Sequence, residues 1–116
     1  MIVGIGTDMV VIERFEAALE RQPGLAERLL TDGERALSLQ SQAARFAAKE
    51  ALAKALGSPG GMRWLDSEVV RNAQGQPHFI VRGTVAARVK ALKIGRIHLS
   101  ISHDGGFVTA MVVCES

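Results

Sequence analysis

The stretch RFAAKEALAKALG, residues 45–57, carries the strongest helical signal in the chain. It is built from alanine, leucine, lysine and glutamate, the residues that lose least freedom on entering a helix. The pattern predicts a helix from about Gln42 to Leu56, stopped by Gly57 as a C-terminal cap and barred from continuing by Pro59. At roughly 100° per residue, Ala43, Ala47, Glu50, Ala51 and Lys54 gather on one side, while Arg45, Lys49, Leu52 and Leu56 lie mostly opposite. A carboxylate and an ammonium one turn apart can be a solvated pair worth about 0.2–0.5 kcal/mol. Such a pair normally has long polar neighbours. Here the neighbours are methyl groups, which permit close approach by another element or a ligand.

Working outward, MIVGIGTDMVVI opens the chain as a β-branched run and predicts a buried strand ended by Thr7 and Asp8. A helix is expected from about Val11 to Arg21, broken by Pro23 and Gly24. Thr31-Asp-Gly-Glu34 fits a capping box and predicts a short helix ending near Gln40. Beyond the loop SPGGMR, WLDSEVVRN and PHFIVRG read as strands joined through AQGQ. TVAARVKALK has helical spacing, with Thr84 as candidate cap. RIHLSISHD alternates, with Ile97, Leu99 and Ile101 on one face and His98, Ser100 and Ser102 on the other. Asp104-Gly105-Gly106 turns the chain, and FVTAMVVC returns beside it as a hairpin. The sum is an α+β fold, helices packed on a mostly antiparallel sheet.

Composition narrows the function classes. At 116 residues the chain is expected to form one domain, and a core this small makes an oligomer that adds buried area plausible. Hydrophobic residues at 47% and charged residues at 22% are ordinary for a soluble protein. No apolar run approaches the roughly 20 residues of a membrane span, and the start lacks a signal-peptide pattern, so a cytoplasmic location is expected. One cysteine, Cys114, excludes an internal disulfide framework and a cysteine zinc site. Residues 36–100 hold ten bases against three acids, a local net of +7 that suits a polyanionic partner. Aromatics are only 4%, with no tyrosine, so the stacking surfaces of single-strand nucleic-acid binders are missing. A phosphorylated small molecule fits better.

Three segments hold chemistry-bearing residues. Asp8 reads either as an N-terminal helix cap or as a metal ligand at a strand end. If Asp8 and Glu50 converge, they make an oxygen-only pair with open positions, which suits Mg²⁺ with substrate phosphate and water completing its shell. Lys54 could then hold a phosphate oxygen, with Arg45 and Lys49 extending the positive surface. His103, at a strand end before the Gly-Gly turn, is either a hydrogen-bonded structural residue or a phosphate donor and proton carrier. Asp104 beside it can serve simply as a turn residue. His78 and His98 receive no role. No nucleophile elbow, Walker loop or dinucleotide fingerprint is present.

GIGTDMVVIERF at 4–15, RFAAKEALAKALG at 45–57 and LSISHDGGFVTAMVV at 99–113, with RLLTDGE at 28–34 and GQP at 75–77, together resemble the holo-acyl-carrier-protein synthase family. This is the small trimeric type of 4′-phosphopantetheinyl transferase, and the resemblance covers nearly the whole chain. It implies transfer of the phosphopantetheine arm of coenzyme A to a serine of apo-acyl carrier protein, releasing adenosine 3′,5′-bisphosphate. It also implies Mg²⁺ held by Asp8 and Glu50, Lys54 on the phosphate side, and Arg45 and His103 near the nucleotide's phosphates. The serine proton would go to Glu50, a metal-bound water or Asp104. The resemblance places the first helix at the docking surface for acidic acyl carrier protein, where Arg14 and Arg21 share a face. It further implies a homotrimer with sites between subunits. The loop GSPGGMRW does not align residue by residue, and LQSQAARF lacks the aromatic often found before this helix. A non-catalytic coenzyme A or carrier-protein binding module and a basic nucleic-acid-binding domain are the competing readings.

Overall fold

The structure, a computed structural model, describes residues 1–116. Strand β1 (Ile2–Val11) leads into helix α1 (Ile12–Arg21), followed by the short helices α2 (Leu25–Leu29) and α3 (Asp32–Arg35) and the long α4 (Leu39–Ala55). A single 3₁₀ turn, Trp64–Asp66, precedes the hairpin β2 (Ser67–Arg71) and β3 (Pro77–Val81). Helix α5 (Gly83–Ala91) then connects to the hairpin β4 (Arg96–Asp104) and β5 (Phe107–Glu115). The α+β expectation holds, with every strand pair antiparallel and the strands divided between two sheets. One has the order β1-β5-β4; the other is the β2–β3 ribbon.

Alternation along β5 explains the core. Val108, Ala110, Val112 and Cys114 point inward and are buried against α4, where Leu52 and Leu56 complete the packing. The β4–β5 turn is a two-residue hairpin at Gly105 and Gly106, both with positive φ (55° and 83°), a conformation that favours glycine. Its Gly106 carbonyl accepts from the amide of Ile12 at 2.9 Å, which stitches the hairpin tip to the start of α1.

Local signals account for most of the helix boundaries. Thr31 and Glu34 form the expected capping box, but α3 stops at Arg35 and not near Gln40. Ser38 interrupts it, because its side chain accepts from the amide of Ser41 and opens α4 at Leu39. Leu25–Leu29, read as part of a break, is a helix. Trp64–Asp66, expected as strand, is a 3₁₀ turn. Thr84 is not the cap of α5. Instead the Asp66 carboxylate accepts from both the amide (2.8 Å) and the hydroxyl (2.6 Å) of Thr84.

The largest difference lies in β1. Thr7 and Asp8 do not end the strand. They continue it to Val11, with Asp8 paired across from Ala110 of β5. Val11 precedes α1 and donates no side-chain cap, so Asp8 caps no helix.

Candidate active site

Helix α4 meets β1 along a seam from which side chains have been removed on both partners. Ala47, Ala51 and Ala55 are buried there. A Cβ placed on Gly6 would stand 1.9 Å from the Ala51 carbonyl oxygen, and one on Gly4 would stand 1.9 Å from that of Ala55. Strand and helix backbones are therefore in direct contact. The alanine face beside Glu50 is accordingly not open space for a ligand; it is filled by β1. What the close approach achieves is to bring Asp8, two residues beyond Gly6, alongside the next exposed turn of α4.

There the ammonium of Lys54 donates to the Thr7 carbonyl at 2.9 Å and to Asp8 Oδ1 at 3.3 Å. Asp8, Glu50 and Lys54 line one cleft of about 450 Å³ between α1, β1 and α4. Phe15, Ala18 and Phe46 form its floor and Arg14 stands on it from α1. The Glu50 carboxyl is pushed above the usual range by burial first and by the Asp8 carboxylate second, while Lys54 opposes the shift. Two carboxylates thus share one cleft with two cations, Lys54 and Arg14, of which Lys54 is the one hydrogen-bonded to Asp8.

Glu50 also borders a second cavity of about 280 Å³ under the Ser58–Met62 loop, lined by Leu52, Leu56, Met62 and Trp64 and also by Lys49 and Arg63. The far end of α4 is tied down beside it, where Arg88 Nε donates to the Leu56 carbonyl at 2.9 Å. Arg88 was not singled out from the sequence. A cation placed at a helix C-terminus was the available signal.

Five expected site residues are not at this cleft. Lys49 does not extend a positive surface, because its side chain is buried and its ammonium pairs with Glu34 Oε1 at 2.6 Å. Burial holds its pKa below the ordinary lysine range, against the hydrogen bond and charge of Glu34. Arg45 is only 4% exposed, and its Nε has no acceptor in the chain. Its guanidinium pKa is lowered by burial and then by Arg71. His103 and Asp104 sit exposed at the end of β4, paired across from Val108 and Phe107, and line neither cavity of their own chain. Arg21 is exposed at the end of α1, two turns from Arg14.

The chain belongs to the 4′-phosphopantetheinyl transferase superfamily, whose family model matches residues 4–111. Among its relatives is the holo-[acyl-carrier-protein] synthase of Clavibacter sepedonicus, 57% identical over 115 residues, spanning 99% of this chain and 97% of that one. The synthase of the same name from Frankia alni is 53% identical over 116 residues and 99% of this chain. In three dimensions the chain superposes on the synthase of Neisseria meningitidis with a TM-score of 0.89 at 33% identity, covering 100% of both chains. The Helicobacter pylori synthase, solved in complex with coenzyme A, gives 0.84 at 32% identity, with 96% and 99% covered.

Proposed function

We propose that the protein transfers the 4′-phosphopantetheine arm of coenzyme A to a serine of apo-acyl carrier protein. The serine oxygen bonds to the phosphorus that carries pantetheine. The bond from that phosphorus to the bridging pyrophosphate oxygen breaks, and adenosine 3′,5′-bisphosphate leaves while the serine proton passes to a base. The observation that carries this reading is the Asp8–Glu50–Lys54 cleft, in a chain whose named relatives are holo-[acyl-carrier-protein] synthases.

The donor set fits Mg²⁺. Asp8 and Glu50 offer oxygens only, burial and then the Asp8 carboxylate raise the Glu50 pKa, and the cleft leaves room for water and phosphate to complete the shell. When bound, the ion would supply charge neutralisation at the pyrophosphate. Lys54, already aimed at Asp8, is placed to hold a phosphate oxygen as negative charge builds there. The cavity beside Glu50 offers space for the nucleotide end of coenzyme A. Arg14 stands at the cleft and Arg21 two turns along the same helix, a cationic face for an acidic carrier protein.

A homotrimer with shared sites belongs to the same proposal. Ile5, Met9, Phe107 and Met111 are large apolar side chains left exposed on the β1–β5 face. His103 and Asp104 are exposed and stand away from their own cleft. A neighbouring subunit would supply the cleft they lack. Light scattering on the purified protein should give three times the chain mass.

Mass spectrometry of apo-acyl carrier protein incubated with the protein, coenzyme A and Mg²⁺ tests the chemistry. The carrier should gain about 340 Da, the mass of the arm from its formula, and an unchanged mass would remove the reading. Asp8→Ala should keep the fold and lower turnover by about 10²–10³ or more. Retained turnover would refute the assignment of Asp8. A binding module without catalysis would instead take up coenzyme A and leave the carrier unmodified.

A further inference from the structure

Lys49 does not line the Asp8–Glu50–Lys54 cleft but borders the neighbouring cavity, and its surroundings are unusual for a lysine. Its ammonium donates to Glu34 Oε1 at 2.6 Å, to the Leu29 carbonyl at 2.8 Å and to the Trp64 carbonyl at 3.3 Å. Three donors meet three acceptors, so nothing remains for a ligand. Glu34 is just as occupied, accepting from the amide of Thr31 through Oε1 and from that of Val69 through Oε2, each at 2.9 Å. One buried bracket therefore joins the end of α2, α3, the 3₁₀ turn and β2 to α4, at the residue immediately before Glu50.

The opposite side of α4 has a different kind of contact. At Ala51 and Ala55 the helix lies against Gly6 and Gly4, a surface with no interlocking side chains. Such a seam fixes distance, and it resists rotation about the helix axis weakly. The bracket, together with Leu52 and Leu56 packed against β5, resists it. A rotation of about 10° at a side-chain radius of about 5–6 Å would displace the Glu50 carboxylate by about 1 Å. Mg²⁺ demands near-ideal octahedral geometry with short bonds, so a shift of that size is felt in affinity.

Resting on the transferase reading above, we infer that Lys49 is a positioning residue. Through its bracket with Glu34 it sets the rotation of α4, hence the placement of Glu50 relative to Asp8 and the divalent-cation affinity of the cleft. Lys49 borders the second cavity, but its ammonium is fully bonded within the chain, so its effect on the cation is exerted through Glu50.

The test uses the full chain with both charges removed together, Glu34→Gln with Lys49→Met, so that no lone charge is left buried. Mn²⁺ binding, read by electron paramagnetic resonance without coenzyme A or carrier protein, should weaken about tenfold or more. The Mg²⁺ concentration for half-maximal transfer should rise in step, with kcat at saturating Mg²⁺ falling less. Unaltered Mn²⁺ affinity with only a lowered Tm would overturn the inference while leaving the transferase reading intact. A double variant that cannot fold would also overturn it, by making the pair a folding device. If the natural chain neither binds Mn²⁺ nor modifies the carrier, the transferase reading fails and this inference with it.

Discussion

The two flanks of α4 hold the same helix by opposite means. Toward β1, residues lose their side chains: Gly4 and Gly6 face the Ala55 and Ala51 carbonyls, and backbone meets backbone. Toward α3 and β2, residues keep long charged side chains, and Lys49 and Glu34 are both buried with five hydrogen bonds made by their side chains. Glu50 lies between the two, one residue from Lys49 and one from Ala51. The seam brings Asp8 close, and the bracket aims Glu50. Neither contact could replace the other, since a glycine seam carries no directional bonds and a buried ion pair cannot permit so close a backbone approach.

The seam is the easier flank to break. Gly6→Ala sets a methyl group against the Ala51 carbonyl, a backbone atom that cannot swing aside as a side-chain tip would. The expected cost is about 3 kcal/mol or more, seen as a lower urea midpoint or loss of soluble protein. A variant with the natural midpoint would show that the backbones are not in contact. On the bracket side, Thr31→Ala removes the hydroxyl that accepts from the Glu34 amide at 3.3 Å and donates to Glu68 Oε2 at 2.8 Å. The expected loss is about 1–2 kcal/mol, with Thr31→Ser recovering most of it. Equal losses for alanine and serine would mean that the threonine methyl, and not the cap, is what matters.

This asymmetry also explains what could be read in the sequence. The capping box, the Gly57 stop and the alternation of β4 rest on chemistry within a few residues, and all three stand in the structure. The Glu50–Lys54 pair was legible as a pair out of place on an alanine face. The reason for the alanines was not, because it lies in β1, some 40 residues away; the glycines two apart in GIG, on one face of a strand, were the available sign. Asp8 was misread as a terminator since Thr-Asp is a capping signal locally, and only pairing with β5 carries the strand through it. Lys49 and Arg45, expected to extend the positive surface beside Lys54, are instead buried. Spacing tells which residues share a face, but α4 is covered on more than one side, so the face opposite Glu50 is core too.

The smallest effect on stability, and the one of opposite sign, concerns Glu50 itself. Its folded pKa is raised, by burial and then by Asp8. A carboxyl of this kind contributes stability that is fully present below the unfolded value, about 4.3, and lost as pH rises through the folded one. In chelator, the natural chain should therefore lose stability relative to Glu50→Gln between mildly acid and neutral pH, since glutamine does not titrate. Scanning calorimetry at pH 4 and pH 8 should show a higher Tm for the variant at pH 8 and a smaller gap at pH 4. Parallel profiles would mean that neither burial nor the Asp8 carboxylate raises the Glu50 carboxyl. The same substitution should abolish transfer, so one carboxylate would be a liability to the empty fold and a requirement of the reaction. The seam and the bracket would then hold in place a group that the folded chain alone does not favour.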